Sequence, residues 1–534
     1  MPLLIGNLIL SPGEGDELLR ERLAARFALA GRDILGLRLV RKSIDARRKS
    51  RIVIVCTVEC LLADEKGFLA RHGDDPDVRP IDARKPSVFP QLATGRRVVI
   101  VGMGPAGLFA ALRLAEYGIT STVLERGRPV EERTRDVQAF WSRGELDPES
   151  NVQFGEGGAG TFSDGKLTTR VNDQNITYVL EKLVAFGAPP ETLYLAKPHI
   201  GTDRLRRVVA GIRQGLLAAG CDVRFRSRLS DIFLRDGRVS AIAVNGSDEL
   251  AADFLVLAPG HSARDTYELL DRCGVHLQAK PFAMGLRVEH PQALINGIQY
   301  GTGYHPALPP ADYALAHNDR STGRSAYSFC MCPGGVVVAG SSEEGGVVTN
   351  GMSAYLRNSP FANSALVATV RPDDFGSSSP LAGVEFQRQW ERRAFAAGGG
   401  GYGAPAQNLL AFLRMKGGRG AIRSSYRPGV NEADLAELLP PFVAETLRDG
   451  VRHFDRKMRG FLTAEATLTG VETRTSAPLR IVRGEDLQSV SLPGLYPAGE
   501  GAGYAGGIMS AALDGIRVAD AIAGQITAET RSVF

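Results

Sequence analysis

The sequence predicts an α/β protein: a Rossmann-like dinucleotide-binding domain with an inserted α+β domain, preceded by a small N-terminal α/β domain. First, a β-branched strand at Arg97–Val101 leads directly into a glycine loop and an apolar helix. Second, a strand, a glycine loop and a small-residue helix recur over residues 494–524. Third, 534 residues exceed one ordinary domain, and the 62 glycines exceed the roughly 37 that average usage gives. The glycine excess indicates tight turns or close approach of backbone to a ligand.

Composition narrows the function classes. The net charge is +4 and 44% of residues are hydrophobic, which excludes wholesale disorder and a chain-wide nucleic-acid surface. A basic stretch at residues 38–51 lacks interleaved aromatic residues, which favours a solvated hairpin tip over a nucleic-acid platform. Six scattered cysteines, no signal-peptide pattern and no apolar run of membrane-spanning length lead us to expect a cytoplasmic protein without a membrane partner.

The first 90 residues predict a ferredoxin-like α/β domain. Apolar residues at strand and helix spacing mark its elements. The predicted elements are a strand at Leu3–Leu10, a helix at Glu14–Ala30, strands at Ile34–Ser43 and Arg51–Leu62, and a proline-rich linker at Arg71–Pro90.

The glycine loop after Arg97–Val101 carries the strongest motif. Gly102 permits a sharp turn out of the strand, Gly104 lets the backbone approach a pyrophosphate, and Gly107 lets the next helix pack on the strand. Glu125 ends the following strand and can accept hydrogen bonds from both ribose hydroxyls. The predicted cofactor contacts of this region are Gly102, Gly104, Pro105, Ala106, Gly107, Glu125 and Arg126.

Later predicted elements are a strand at Ser121–Leu124, a helix at Arg204–Ala219, a meander at Val223–Phe233 and Val239–Val244 with a turn at Asp236-Gly237, and a buried strand at Phe254–Leu257.

Three later features favour FAD as the dinucleotide. Tyr496–Ile508 resembles the C-terminal flavin motif of the glutathione-reductase-like flavoprotein superfamily, and the resemblance implies that Glu500 binds the ribityl chain. Leu255–Gly260 resembles that superfamily's strand ending in Ala-Thr-Gly. No second complete glycine motif lies between these landmarks, so NAD(P)H would serve only as a transient donor without its own Rossmann domain. With the glycine-rich segment Gln153–Arg170, the further predicted FAD contacts are Gly157, Gly158, Thr161, Ser163, Leu229, Ala258, Gly260, Gly499, Glu500, Gly506, Gly507 and Ile508.

Candidate catalytic residues are fewer. Lys166 is a candidate partner for the flavin edge, and Arg474 suits an anionic or carbonyl substrate. Glu472 lies in the same polar stretch and completes the predicted catalytic set. Cys330 and Cys332 admit a thiol nucleophile or a dithiol, although buried structural cysteines are commoner. The eight histidines show no ligand spacing, so we expect no metal site.

Long motifs carry a family resemblance. Gln153–Arg170, Phe329–Gly335, Ser341–Ser353, Gly470–Pro478 and Tyr496–Ile508 resemble an uncharacterised family of FAD-utilising dehydrogenases, bacterial with plastid relatives. The resemblance implies a glutathione-reductase-like FAD fold and redox chemistry on a small-molecule substrate. The expected domains are 1–90, a discontinuous FAD-binding domain at 91–275 and 480–534, and a substrate domain at 276–479.

The expected activity is that of an FAD-dependent oxidoreductase, a dehydrogenase or reductase, which moves a hydride between a small organic substrate and flavin N5. A flavin monooxygenase that uses NAD(P)H and O₂, a flavoprotein that acts on tRNA, and a non-catalytic FAD scaffold remain alternatives. The substrate, the direction of hydride flow and the oligomeric state do not follow from the sequence.

Overall fold

The computed structural model describes residues 1–82 and 88–532. Its N-terminal part is one antiparallel sheet with two helices. The elements are β1 (Leu3–Leu10), α1 (Leu19–Phe27), β2 (Ile34–Asp45), β3 (Val53–Leu62), α2 (Glu65–His72) and β4 (Val78–Pro80). The strand order β2-β3-β1-β4 with antiparallel neighbours is the ferredoxin-like arrangement that the sequence predicts.

Two N-terminal predictions need correction. The helix predicted over Glu14–Ala30 is shorter, because Asp16–Leu18 forms a 3₁₀ turn and Ala28 adopts a left-handed conformation that ends α1. The linker predicted over Arg71–Pro90 is wrong in its first part. This first part contains the end of α2 and the edge strand β4, and Val78 of β4 is buried in the core of the sheet. Residues 83–87 of that predicted linker lie outside the described residues.

The next part of the chain contains the predicted dinucleotide-binding elements. They are β5 (Val98–Val101), α3 (Pro105–Glu116), β6 (Ser121–Leu124), α4 (Val130–Arg143), α5 (Ile176–Ala185), α6 (Thr202–Ala218), β7 (Asp222–Arg224), β8 (Leu229–Arg235), β9 (Arg238–Val244), β10 (Asp248–Ala251), β11 (Phe254–Leu257) and α7 (Arg264–Arg272). The strand predicted over Val223–Phe233 is divided, because β7 pairs in parallel with β6 whereas β8 pairs antiparallel with β9. The turn at Asp236-Gly237 is confirmed, and both residues have positive φ.

The rest of the chain builds a larger sheet and then returns. The elements are β12 (Leu277–Ala279), β13 (Phe282–Pro291), α8 (Gln292–Tyr300), β14 (Ala316–Asp319), β15 (Arg324–Cys332), β16 (Val336–Ala339), β17 (Thr349–Met352), β18 (Phe361–Val370), α9 (Ala382–Ala397), β19 (Ala404–Asn408), α10 (Leu409–Phe412), β20 (Val430–Glu432), α11 (Pro441–Lys457), β21 (Thr467–Glu472), β22 (Leu479–Ile481), β23 (Leu495–Pro497) and α12 (Ile508–Ser532).

Two sheets position the site. The five-stranded sheet has the order β23-β11-β5-β6-β7 with parallel neighbours, so the C-terminal segment returns beside β11. The seven-stranded sheet has the order β14-β15-β18-β13-β21-β19-β20. Two further sheets have two strands each: β12 pairs with β22, and β16 pairs with β17. No helix within the described part of the chain is long and apolar enough to cross a membrane.

Candidate active site

A cavity of about 1460 Å³ lies between the loops that follow the parallel strands and one face of the seven-stranded sheet. Small-molecule pockets commonly measure about 300–1,000 Å³, so this one has room for a dinucleotide beside a second molecule. Fifteen of the predicted cofactor contacts line it: Gly102, Gly104, Pro105, Ala106, Glu125, Arg126, Gly158, Ser163, Leu229, Ala258, Gly260, Glu500, Gly506, Gly507 and Ile508. The candidate catalytic residues Lys166, Glu472 and Arg474 line the same cavity.

The glycines of the loop after β5 have two different roles: one allows helix packing, and another leaves space for a ligand. A Cβ at Gly107 would lie 1.9 Å from the carbonyl oxygen of Gly102, so this glycine serves helix packing and lies outside the cavity lining. At Gly104 the nearest atom to an added Cβ is the Cα of Gly158, at 3.9 Å. Gly104 therefore leaves open space in front of the first turn of α3, whose free N–H groups suit a phosphate.

Glu125 keeps capacity for a ligand. Its Oε1 accepts from the amides of Gly127 and Gly155, and its Oε2 accepts from the amide of Met103, each at 2.9 Å. A carboxylate has about four acceptor positions, so these three bonds orient the side chain and leave room for a ribose hydroxyl. The neighbouring Arg126 is neutralised within the cavity wall, because Glu149 and Asp265 lie 2.7 and 2.9 Å from its guanidinium.

The glycine-rich segment Gln153–Arg170 packs into the protein. Two predicted cofactor residues of this segment do not line the cavity, as is also the case for two from other loops. The four residues are Gly157, Thr161, Gly107 and Gly499. A Cβ at Gly157 would lie 2.1 Å from Thr161 Oγ1. The buried Arg133 on α4 donates to the carbonyl oxygens of Asn151, Val152, Glu156 and Gly158 at 2.6–3.0 Å. Arg133 therefore fixes the loop, a role that its position within a polar helical sequence does not indicate.

The C-terminal motif presents open glycines and an acid. An added Cβ at Gly506 or Gly507 would meet no atom within 4 Å, and α12 begins immediately afterwards at Ile508. Gly499 instead donates its amide to the buried Asp514 at 2.7 Å. Burial raises the pKa of Glu500 to about 7, opposed by the charge of Lys280. The cofactor side of the cavity thus contains a carboxyl group that titrates near neutral pH.

This shift predicts a pH-dependent stability difference for Glu500→Gln in the flavin-stripped protein. The folded wild type keeps a proton on Glu500 that the unfolded chain releases above its ordinary pKa of 4.5. Wild-type stability relative to the variant should therefore fall as the pH rises from 4.5 towards 7, by at most about 1.4 kcal/mol per pH unit, and then level off. Urea unfolding across this range measures the difference, and a pH-independent difference would contradict the assignment.

The three candidate catalytic side chains have different hydrogen-bond partners. Both guanidinium contacts of the buried Arg287 with Glu472 are 2.7 Å long. Arg474 lies 2.9 Å from Glu391 and donates to Ser342. Neither Glu472 nor Arg474 is thus an isolated charge, whereas Lys166 donates its Nζ to a backbone carbonyl, that of Met331. Within residues 1–82 and 88–532, no hydrogen bond joins Lys166 to a carboxylate.

Two further residues of the lining were missed by sequence reasoning. His261 directly follows the Ala258-Pro259-Gly260 turn, and Lys280 follows β12. Burial lowers the pKa of His261 to about 3, assisted by the charges of Arg474 and Arg264, so its imidazole is neutral. The position of His261 immediately after the glycine turn could have indicated that it lines the cavity. No sequence pattern indicated this for Lys280.

Cys330 faces the cavity from an irregular part of β15. Its φ is +43°, and the pairing of β15 with β18 shifts between Phe329 and Cys332. The Cys330 side chain is exposed, whereas Cys332 is buried, and burial raises the pKa of the Cys332 thiol to about 11. Cys332 is therefore a thiol at neutral pH, which is the opposite of an activated nucleophile.

Three family models match parts of the chain. Residues 2–61 match a domain of unknown function, residues 96–139 match a FAD binding domain, and residues 281–475 match the family described as FAD-dependent protein, C-terminal domain-like. Thiamine thiazole synthase of Aeropyrum pernix is 28% identical over 189 residues, which are 33% of this chain and 58% of that protein. The structure of the flavin-dependent brominase Bmp2 aligns with a TM-score of 0.36 and 13% identity, covering 81% of this chain and 79% of that one.

One curated relative covers almost the whole length of the chain. An uncharacterised protein of Clostridium beijerinckii is 48% identical over 529 residues, covering 98% of both chains. The predicted FAD cofactor and FAD-dependent fold are confirmed by the two FAD-related family matches. The chain therefore belongs to the family of the Clostridium beijerinckii protein, a family of FAD-dependent oxidoreductases.

Proposed function

We propose that this protein moves a hydride between a small organic substrate and N5 of its bound FAD. The observation that carries the proposal is that open glycine loops form one wall of the cavity and a sheet face forms the other. Bound FAD supplies a reversible two-electron hydride acceptor or donor, and the protein supplies binding, orientation and electrostatics.

The sheet face supports an apolar organic substrate. Tyr327 and Phe329 on β15 pack over the small residues Ala283, Ala365 and Val367, and both aromatic side chains line the cavity. Apolar and aromatic walls with few polar groups are typical of small-molecule sites. The substrate would lie against this floor and be oriented by polar groups at its border.

Two features would stabilise negative charge that develops during the reaction. The N-terminus of α12 opens onto the cavity at Gly507 and Ile508, and a helix N-terminus favours nearby negative charge. Lys166 adds a cationic group that has no hydrogen-bonded carboxylate in the described part of the chain. Neutral His261 offers a ring nitrogen that can accept a hydrogen bond from a substrate hydroxyl or amine.

The direct test is anaerobic reduction of the purified flavoprotein. Released flavin is identified first, and the protein is then mixed with NADH, NADPH or pools of small organic molecules while the visible flavin band is followed. Bleaching by a small organic molecule supports the proposal. O₂-consuming NAD(P)H oxidation that requires a substrate would instead favour the monooxygenase, and failure of every donor would favour a non-catalytic scaffold. The tRNA alternative gains no support from Cys332, because burial raises the pKa of its thiol to about 11.

Replacement of Lys166 by methionine should slow flavin reduction while FAD is retained. The variant keeps the length of the side chain but removes the charge, and we expect the reduction rate to fall at least tenfold, equivalent to about 1.4 kcal/mol. Lys182→Met is the matched control, since Lys182 pairs with Glu116 outside the cavity lining. Stopped-flow reduction by the identified donor gives both rates, and equal rates for wild type and Lys166→Met would remove Lys166 from the mechanism.

A further inference from the structure

Three potential metal ligands meet on the outer side of the seven-stranded sheet. His317 lies on β14, while Asp449 and His453 lie four residues apart on α11. Their ligand atoms all lie within 4.8 Å of one another. Within residues 1–82 and 88–532, this is the one group of three or more His, Cys, Asp or Glu side chains gathered in this way.

The geometry is close to that of a coordination sphere. Asp449 Oδ2 lies 3.0 Å from His317 Nε2, and Asp449 Oδ1 lies 3.5 Å from His453 Nδ1. Ligand atoms about 2.0–2.2 Å from a tetrahedral zinc ion are roughly 3.4 Å apart. The two imidazole rings stack with centroids 3.7 Å apart and planes within 10°, so both rings must tilt for their in-plane lone pairs to converge on one ion.

The donor set and its exposure suit a first-row divalent cation. We propose that His317, Asp449 and His453 bind one Zn²⁺-type ion, with water completing the coordination. Two imidazoles and one carboxylate are ligands that zinc and its neighbours prefer. The side chains are 20%, 51% and 28% exposed respectively, which leaves an entry path. His317 Nε2 lies against the Asp449 carboxylate, whereas His453 Nδ1 lies 3.0 Å from the backbone carbonyl oxygen of Asp449 and must leave it to bind an ion.

The site lies beside the mouth of the active-site cavity. Ala316 and Asn318 line the cavity, and His317 between them points to the other face because side chains alternate along a strand. Lys457 on α11 already donates to the carbonyl oxygen of Ala316. A bound ion would add a second tie between α11 and the edge strand β14, and so would fix one border of the cavity entrance. This proposal differs from the sequence-based expectation of no metal site.

Zinc titration of the chelator-treated, FAD-loaded protein tests the proposal. We expect His317→Ala and His453→Gln each to lose one equivalent of tightly bound Zn²⁺ in isothermal titration. His276→Ala, which changes an exposed histidine outside the cluster, should keep it and controls for histidine loss. Asp449→Asn, which preserves size and hydrogen bonding, should weaken binding without a change in fold.

Thermal unfolding supplies the second measurement. Zn²⁺ should raise the Tm of wild type and of His276→Ala, and should leave the Tm of His317→Ala unchanged. The flavin absorbance of all variants should match wild type, so this result is separable from failure of the proposed redox function. Equal zinc stoichiometry and equal Tm shifts in His317→Ala and His276→Ala would overturn the proposed site.

Discussion

Gly104→Val is expected to abolish tight FAD binding while the protein remains folded. Gly104 has a φ of −77°, which valine adopts without strain. Apart from its two chain neighbours, no atom of the described residues lies closer than 3.9 Å to an added Cβ, so the new side chain occupies open cavity space. That space adjoins the first turn of α3, where the cofactor's phosphates would approach. We expect at least a tenfold loss of FAD affinity, or about 1.4 kcal/mol, measured by flavin fluorescence titration.

Two other glycines provide controls for Gly104→Val. Gly297 lies in α8 outside the cavity lining, and an added Cβ there meets no atom within 4 Å, so Gly297→Val should retain FAD and stability. Gly107→Val should instead impair folding, because its Cβ would overlap the carbonyl oxygen of Gly102 at 1.9 Å. If Gly104→Val bound FAD as wild type does, the assignment of this loop to the cofactor phosphates would be wrong.

The contrast between Gly104 and Gly107 shows what a sequence can predict. The glycine loop, its strand and its helix are local in the chain, so their geometry follows from spacing and from the φ and packing limits of each residue. The same holds for β1, β6 and β11, whose bounds the sequence predicts correctly. The helix end at Ala28 and the division between β7 and β8 depend on backbone conformation and on pairing partners that no local pattern reveals.

The charged residues of the site show where sequence reasoning ends. Glu472 and Arg474 are chemically plausible catalytic groups in isolation. Their partners Arg287 and Glu391 lie 185 and 83 residues away in the chain, and only the folded structure shows that these charges are neutralised. The histidine pair at the proposed metal site is likewise separated by more than a hundred residues, although Asp449 and His453 stand at helical i, i+4 spacing. Pairing over such distances leaves no periodic signal.

Glu391→Gln is expected to be the most destabilising substitution at the site. Glu391 on α9 is buried and lies between two buried guanidiniums, at 2.7 Å from Arg264 and 2.9 Å from Arg474. Arg264 belongs to the part that carries the parallel sheet, and Arg474 follows β21 of the larger sheet. Removing the carboxylate charge leaves Glu343 as the carboxylate that still pairs with Arg264 and lies 3.9 Å from Arg474. Loss of one partner from a buried ion pair costs about 3–5 kcal/mol.

The pH dependence of that loss identifies its electrostatic origin. Burial opposes ionisation of Glu391, but Arg264 and Arg474 outweigh burial and hold its pKa well below the ordinary value of 4.5. The stabilisation is therefore present above pH 4.5 and is lost as the pH falls towards the depressed pKa, so the wild-type advantage over Glu391→Gln should shrink in acid.

Glu385→Gln on the same helix is the control for Glu391→Gln, because its side chain is 62% exposed and exposed pairs contribute about 0–1 kcal/mol. Urea unfolding compares both variants with wild type at neutral and acidic pH. Similar small losses for Glu391→Gln and Glu385→Gln would show that the buried cluster does not hold the two sheets together. A large loss confined to Glu391→Gln would instead show that Arg474 lines the cavity as part of a stability-determining ion cluster, and that its position there depends on α9.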